Sequence, residues 1–140
     1  MMNYTSIIVA LVGRGDEGDV ITEAVKVVRA SGAQLIAIHI NDPHAGEMSM
    51  MMDSSGPRLE EEDIRERFRV NGFKKEAESI EVRILKSDKI SQALAEQTAG
   101  VDLLVLGHRK MSTFKSRLMD SVDEGIVNHA QCPVLVVQKS

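Results

Sequence analysis

The chain has 140 residues, of which 43% are hydrophobic, 27% charged and only 3% aromatic. This is the composition of an ordinary globular protein that is large enough to bury one core. Its net charge of −4 argues against a general nucleic-acid binder, which needs a surplus of Lys and Arg to neutralise phosphates. No apolar run approaches the ~20 residues of a membrane span, and residues 1–10 lack the charged start of a signal peptide. Because the single cysteine, Cys132, has no partner for an intrachain disulfide, we expect a reducing, cytoplasmic location.

The first elements alternate between strand and helix. A short apolar run over residues 7–12 predicts a strand that is covered on both faces. The next segment carries an amphipathic stripe from Val20 to Val28 and then Gly32, which predicts a helix closed by a C-terminal glycine. Residues 35–40 are a second apolar run and predict a second buried strand.

The middle of the chain is more polar. Residues 41–56 are rich in methionine and in turn-forming residues, so we predict a long loop that is the most mobile part of the chain. A helix is predicted over residues 59–78, and Asn71-Gly72 is expected to kink or split it. The acidic run over residues 60–63 is interpreted as a solvated helix start, where negative charge is favourable.

Strict alternation over Ile80–Ile84 predicts a strand with one exposed face. Asp88 is expected to cap a helix that runs to about Ala99 and is closed by Gly100. Residues 102–107 predict a fourth, buried strand, and a polar, basic stretch is expected to start at His108.

The last predicted elements are a short helix over residues 121–129 and a strand over residues 133–137. Strands that are spaced by helices require crossover connections. The sequence therefore predicts one α/β domain over residues 1–140, a doubly wound parallel sheet with helices on both faces.

The C-terminal part contains a specific arrangement of residues. A strand ends in Gly107-His108-Arg109, Ser121-Val122 follows after a spacer, and residues 129–133 (His-Ala-Gln-Cys-Pro) lead into the last strand. This arrangement resembles the signature of the universal stress protein family, in which a strand-ending Gly is followed by two residues, Gly, nine residues and Gly-Ser/Thr. The resemblance covers essentially the whole chain and implies five parallel strands in the order 3-2-1-4-5.

The family resemblance implies a nucleotide site beyond the carboxyl ends of the strands, where strand order reverses. Nucleotide-binding members have Asp at the end of the first strand, where this chain has Val12, and glycines where it has Lys110 and Asp120. Glycines there let backbone N–H groups close on phosphates, and Asp120 has the wrong charge, so we expect weak or absent ATP binding. The candidate pocket comprises Val12, Gly13, Ile38, Ile40, Leu106, Gly107, Arg109, Lys110, Asp120, Ser121 and Val122.

Two alternatives remain open for this pocket. One is a nucleotide-binding switch or weak ATPase that uses Gly107, Arg109 and Ser121 with ATP or AMP and Mg²⁺. The other is an anion held in another pose by the basic residues of 108–117. The glycines of residues 13–18 are interpreted as a turn followed by a helix cap, because no Gly-Lys-Ser/Thr follows them.

No catalytic constellation is evident, so we expect a binding and regulatory module rather than an enzyme. The chain has no Gly-x-Ser-x-Gly elbow, and Cys132, without an evident activating base, is interpreted as a small buried hydrophobe. His44 and the methionines of 48–52 would suit Cu(I), but we interpret those methionines as adaptable apolar residues and expect no metal site. His39 and His129 are expected to be buried or capping residues.

The last strand provides the expected partner surface. An open sheet leaves two edge strands, and unpaired edges are a liability unless they are blunted. An uninterrupted apolar edge can pair with its own copy across a two-fold axis. We therefore expect a homodimer, with an unidentified protein as a further partner and no nucleic acid or membrane. The pairing residues are Val134, Leu135, Val136 and Val137.

Overall fold

The structure is a computed structural model that describes residues 3–44, 58–109 and 125–139. Its strands and helices alternate in the predicted manner, and residues 125–129 are also helical. The bounds are β1 Ser6–Ala10, α1 Gly18–Ser31, β2 Gln34–Asn41, α2 Glu61–Val70, α3 Lys74–Ser79, β3 Glu81–Lys86, α4 Ile90–Gln97, β4 Leu103–Arg109 and β5 Val134–Lys139.

The five strands form one parallel sheet in the order β3-β2-β1-β4-β5. In the centre of the sheet Ile8 pairs with Ile36 on one side and with Leu104 on the other. The expected order 3-2-1-4-5 is therefore confirmed. It places the reversal of strand order between β1 and β4.

The sheet is covered on both faces, as predicted. On one face α1, α2 and α3 pack against alternate residues of the strands, with Ile64 and Phe68 fully buried. On the other face Leu94 of α4 and Ile126 pack against Ile8 and the neighbouring strands. Full burial of one such side chain contributes about 1.5–3 kcal/mol, so these two clusters hold the layers together.

The predicted break at Asn71-Gly72 is confirmed, since α2 ends at Val70 and α3 begins at Lys74. Gly72 has φ +89°, which only glycine adopts without strain. The acidic start of α2 is also confirmed: Asp63 accepts the Glu60 N–H at 2.8 Å, as one half of a capping box.

Several predicted boundaries are wrong, since β1 ends at Ala10 rather than at residue 12 and β5 runs to Lys139 rather than to residue 137. Asp88 does not cap α4, because the N-cap is Lys89, whose N–H donates to Ser87 Oγ at 3.0 Å. The fourth strand was predicted to end at residue 107, whereas β4 continues to Arg109 along β5. The predicted mobile loop lies largely outside the described residues, which resume at Arg58.

Asp102 joins the amino-terminal ends of β1 and β4 through hydrogen bonds. These contacts predict that the stability of the fold depends on pH. Its Oδ2 accepts the Thr5 N–H at 2.7 Å, the Ser6 N–H at 3.1 Å and the Thr5 hydroxyl at 3.0 Å. The Thr5 N–H above all, then the other two donors, lower the pKa of Asp102. The resulting stabilisation is present above the ordinary pKa of an unfolded Asp (~3.9) and is lost as pH falls through the lower folded value.

Asp102→Asn should therefore lower the free energy of unfolding at pH 7, and the difference from wild type should shrink in strong acid. Urea unfolding at neutral and acidic pH measures it. Asp88→Asn, which removes the same charge from an exposed carboxylate, is the control and should show little change. An Asp102→Asn loss that is equal at both pH values would contradict the assignment.

Candidate functional site

The sheet opens between β1 and β4 at their carboxyl ends. Pairing of β1 with β4 stops at Val9 and Val105, whereas β4 follows β5 as far as Arg109 and Lys139. Leu11 instead donates its N–H to the Ile38 carbonyl at 2.9 Å and stays with β2. This divergence lies where strand order reverses, which is where open α/β sheets bind ligands in a crevice. The space between the carboxyl ends of β1 and β4 is therefore the candidate crevice.

The loop between β1 and α1 forms one wall of the crevice. Gly13 and Gly15 have φ +85° and +83°, and Glu17 is the N-cap residue of α1, so the predicted turn and helix cap are confirmed. The Glu17 side chain, however, turns back into the loop. Its carboxylate accepts the Val12 N–H at 2.9 Å and the Gly13 N–H at 2.7 Å, and Glu17 is only 6% exposed.

Helix α2 and its C-cap residue contact the same loop and the start of α1. Arg67 donates to the Gly13 carbonyl at 2.9 Å, and a Cβ on Gly18 would lie 2.7 Å from Asn71 Oδ1. In this loop Val12 is 49% exposed. An apolar group is thus displayed where the nucleotide-binding pattern calls for a carboxylate.

Gly107 forms the opposite wall, and its lack of a side chain has a packing cause. A Cβ there would lie 2.6 Å from Val20 Cγ2 and 3.0 Å from Lys139 Cδ. The Lys139 side chain, 7% exposed, crosses over Gly107 and brings its Nζ within 3.4 Å of Asp16 Oδ1. Gly107 therefore makes room for a buried lysine that connects β5 to the β1–α1 loop.

His39 is a residue of β2 that links the chain after β1 to the end of β2. It is buried, with Nδ1 2.8 Å from the Leu11 carbonyl and Nε2 2.9 Å from Asn41 Oδ1. The Asn41 amide is oriented by Leu59, to which it donates and from which it accepts, both at 2.9 Å. The prediction of a buried His39 is confirmed, and the ring joins the ends of β1 and β2 to Leu59.

The remaining predicted pocket residues divide into two groups. Ile38, Ile40 and Leu106 are buried among the core residues of the α4 face. Arg109 ends β4, and Lys110, Asp120, Ser121 and Val122 lie outside the described residues. The crevice therefore brings together Val12, Gly13 and Gly107 from the predicted set.

Glu17, Arg67 and Lys139 complete the crevice and were not predicted as site residues. Lys139 had a detectable signal, because it shares the inward face of β5 with Leu135 and Val137 and a lysine at such a position is unusual. The contacts of Glu17 and Arg67 depend on the path of the loop and have no comparable signal.

Other sequence hypotheses are also addressed by the described residues. His129, expected to be a buried or a capping residue, is exposed at the end of the helix of residues 125–129 and so is not buried. Cys132 is half-buried, and this burial, with a smaller contribution from the Asp102 carboxylate, raises the pKa of its thiol, which disfavours the reactive thiolate.

Residues 3–44, 58–109 and 125–139 contain no cluster of three metal-ligating His, Cys, Asp or Glu. No helix in these ranges has the length and hydropathy to cross a membrane.

A five-stranded parallel sheet with a crevice at its switch point defines a doubly wound α/β protein. Residues 3–138 match the model of the universal stress protein family, and the chain belongs to this family. The predicted family and fold class are therefore confirmed.

Three similar proteins illustrate the relationship. A Staphylococcus haemolyticus protein (strain JCSC1435), named as a universal stress protein, is 27% identical over 99% of this chain and 87% of its own length. The crystal structure of a universal stress protein in complex with cAMP covers 99% of this chain and 100% of that chain at 23% identity, with a TM-score of 0.68. The universal stress protein of Archaeoglobus fulgidus in complex with dAMP covers 97% and 99% at 19% identity, with a TM-score of 0.59. The two solved structures share the fold of this chain.

Proposed function

We propose that this chain is a dimeric, cytoplasmic regulatory module of the stress response, formed by one domain over residues 1–140, in which ATP binds weakly or not at all. The observation that carries the proposal is the exposed Val12, which lies two residues beyond the end of β1. An apolar isopropyl group there can neither accept a hydrogen bond from a nucleoside nor balance a charge. The basic and acidic substitutions at Lys110 and Asp120 act in the same direction.

The second wall of the crevice supports weak binding for a separate reason. In a nucleotide site, a glycine at the end of a strand lets the backbone approach phosphates. Here the space beside Gly107 is taken by Val20 and by the Lys139 side chain. Glycine at this position thus serves the packing of α1 and β5 against β4.

The alternative is a nucleotide-binding switch or weak ATPase that uses Gly107, Arg109 and Ser121. The cAMP and dAMP complexes of similar proteins favour it, since the same fold accommodates nucleoside monophosphates in those proteins. AMP is for this reason a better probe of residual binding than ATP alone.

We further propose that the dimer forms through β5. Among the described strands β5 pairs only with β4, and β3 is the other edge. Edge strand β3 carries Glu81, Arg83 and Lys86, and charges of this kind blunt an edge against further pairing. On β5, by contrast, the apolar Val136 is 40% exposed, and the described residues place no strand beyond β5.

Titration calorimetry with Mg-ATP and with AMP tests the nucleotide proposal. We expect no binding in the low micromolar range, and we expect Lys110→Gly with Asp120→Gly to gain affinity by about tenfold or more, since one charge repulsion is worth at least that much even when solvent screens it. Adding Val12→Asp should increase the gain. A low-micromolar constant for wild-type protein would refute weak binding and support the alternative.

A further inference from the structure

We propose that Glu17 is a specificity-determining residue of this site: its carboxylate serves as a built-in ligand of the Val12 and Gly13 backbone and excludes external anions from the β1 wall. This inference rests on the proposal that nucleotides bind weakly or not at all in the crevice. Beyond that function, the loop rejects a defined class of chemical group, and Glu17 is the side chain responsible.

The geometry of the loop is that of a filled anion site. Consecutive N–H groups of Val12 and Gly13 point at one carboxylate, at 2.9 and 2.7 Å, in the range of charge-assisted hydrogen bonds. Successive backbone N–H groups of this kind form a concavity that ordinarily holds a phosphate or another anion. In this chain the Glu17 carboxylate occupies the concavity.

Burial makes the Glu17 carboxylate difficult to displace. Because Glu17 is 6% exposed, an entering anion would leave a carboxylate without its donors in a poorly solvated place. The Glu17 carbonyl also accepts the Ile21 N–H at 3.0 Å, which fixes the backbone of residue 17 at the start of α1. Arg67 fixes the other side of the loop through the Gly13 carbonyl.

The consequence is a rule for ligands. A group that approaches the β1 wall must be uncharged or cationic, since the two donors are occupied and the occupant is negative. Adenosine should therefore meet no charge repulsion at this wall, whereas any phosphate, sulfate or carboxylate group placed against Val12 and Gly13 must compete with Glu17.

The test is an amide NMR titration of the full chain with inorganic phosphate. In wild type the Val12 and Gly13 amides should exchange slowly with solvent and show no saturable shift. Glu17→Gln accepts only one of the two N–H groups and Glu17→Ala accepts neither, so both variants should bind phosphate at these amides at least about tenfold more tightly, the effect of one hydrogen bond to a charged group. Asp19→Asn removes the same charge from an exposed position of α1 and should leave the wild-type response unchanged.

Competing outcomes are distinguishable. A saturable phosphate shift of the wild-type amides, or their exchange at the rate of an open loop, overturns the proposal even if the Glu17 variants do not fold. Folded variants that ignore phosphate overturn it as well. The ratio of AMP to adenosine affinity is the second readout, and it should rise in the Glu17 variants. If neither ligand binds any form of the protein, that result counts against the nucleotide-binding alternative, and the phosphate titration alone decides the role of Glu17.

Discussion

Gly107→Ala is expected to lower the free energy of unfolding by about 1–3 kcal/mol, the usual cost of forcing an extra methyl group into a packed core. The added Cβ would lie 2.6 Å from Val20 Cγ2 and 3.0 Å from Lys139 Cδ. Val20 is fully buried in α1, so the helix would have to move away from the sheet. Urea unfolding measures the loss directly.

A double-mutant cycle identifies the cause of that loss. In a Val20→Ala background the clash is removed, and Gly107→Ala should cost about 1 kcal/mol less than in wild type, the scale of coupling between residues in contact. Val25→Ala is the matched control, because Val25 is equally buried on α1 and is absent from the atoms nearest to Gly107. Equal costs in all three backgrounds would show that the space beside Gly107 is not limiting.

Val136→Lys is expected to weaken the proposed homodimer by about 100-fold or more. Two buried valines would be lost across a two-fold axis, each worth roughly 1.5–2 kcal/mol, and two like charges would face each other. Val136→Pro should act in the same direction by distorting the edge strand. Sedimentation equilibrium at tens of micromolar follows the change in mass.

Val70→Lys is the matched control for this experiment. Val70 is also an exposed valine, at 70%, but it lies at the end of α2 rather than on the edge of the sheet. The dimer should survive this substitution. If wild-type protein is monomeric at these concentrations, or if both variants dissociate alike, the edge of β5 is not the interface.

Most of the sheet could be predicted because the residue pattern of each segment agrees with the position of that segment in the fold. Short apolar runs mark strands that are buried on both faces, and glycines such as Gly32 and Gly72 adopt the positive φ that ends a helix or turns the chain. The boundaries were less predictable where a neighbour decides them. Strand β4 reaches Arg109 where β5 supplies partners as far as Lys139. Helix α4 starts after Lys89 without a side-chain cap, whereas the residue pattern favours a cap at Asp88.

The candidate site was harder to predict than the fold. Sequence located the crevice and the unusual residue at Val12, but it interpreted Gly107 through phosphate binding, whereas packing accounts for it. Glu17 lies in the segment that was interpreted as a turn followed by a helix cap, and the direction of its side chain follows from two backbone N–H groups that only the folded turn presents. Side-chain direction in loops depends on such donors, which the residue pattern does not encode.

The paired hydrogen bonds between Asn41 and Leu59 bear on how this chain can change in evolution. The two residues are 18 positions apart in sequence, yet the carboxamide and the backbone close the intervening segment at its base. A side chain at position 41 that could not both donate and accept would leave the Leu59 N–H and carbonyl without these partners. Related chains that keep this arrangement are therefore expected to keep an amide at this position.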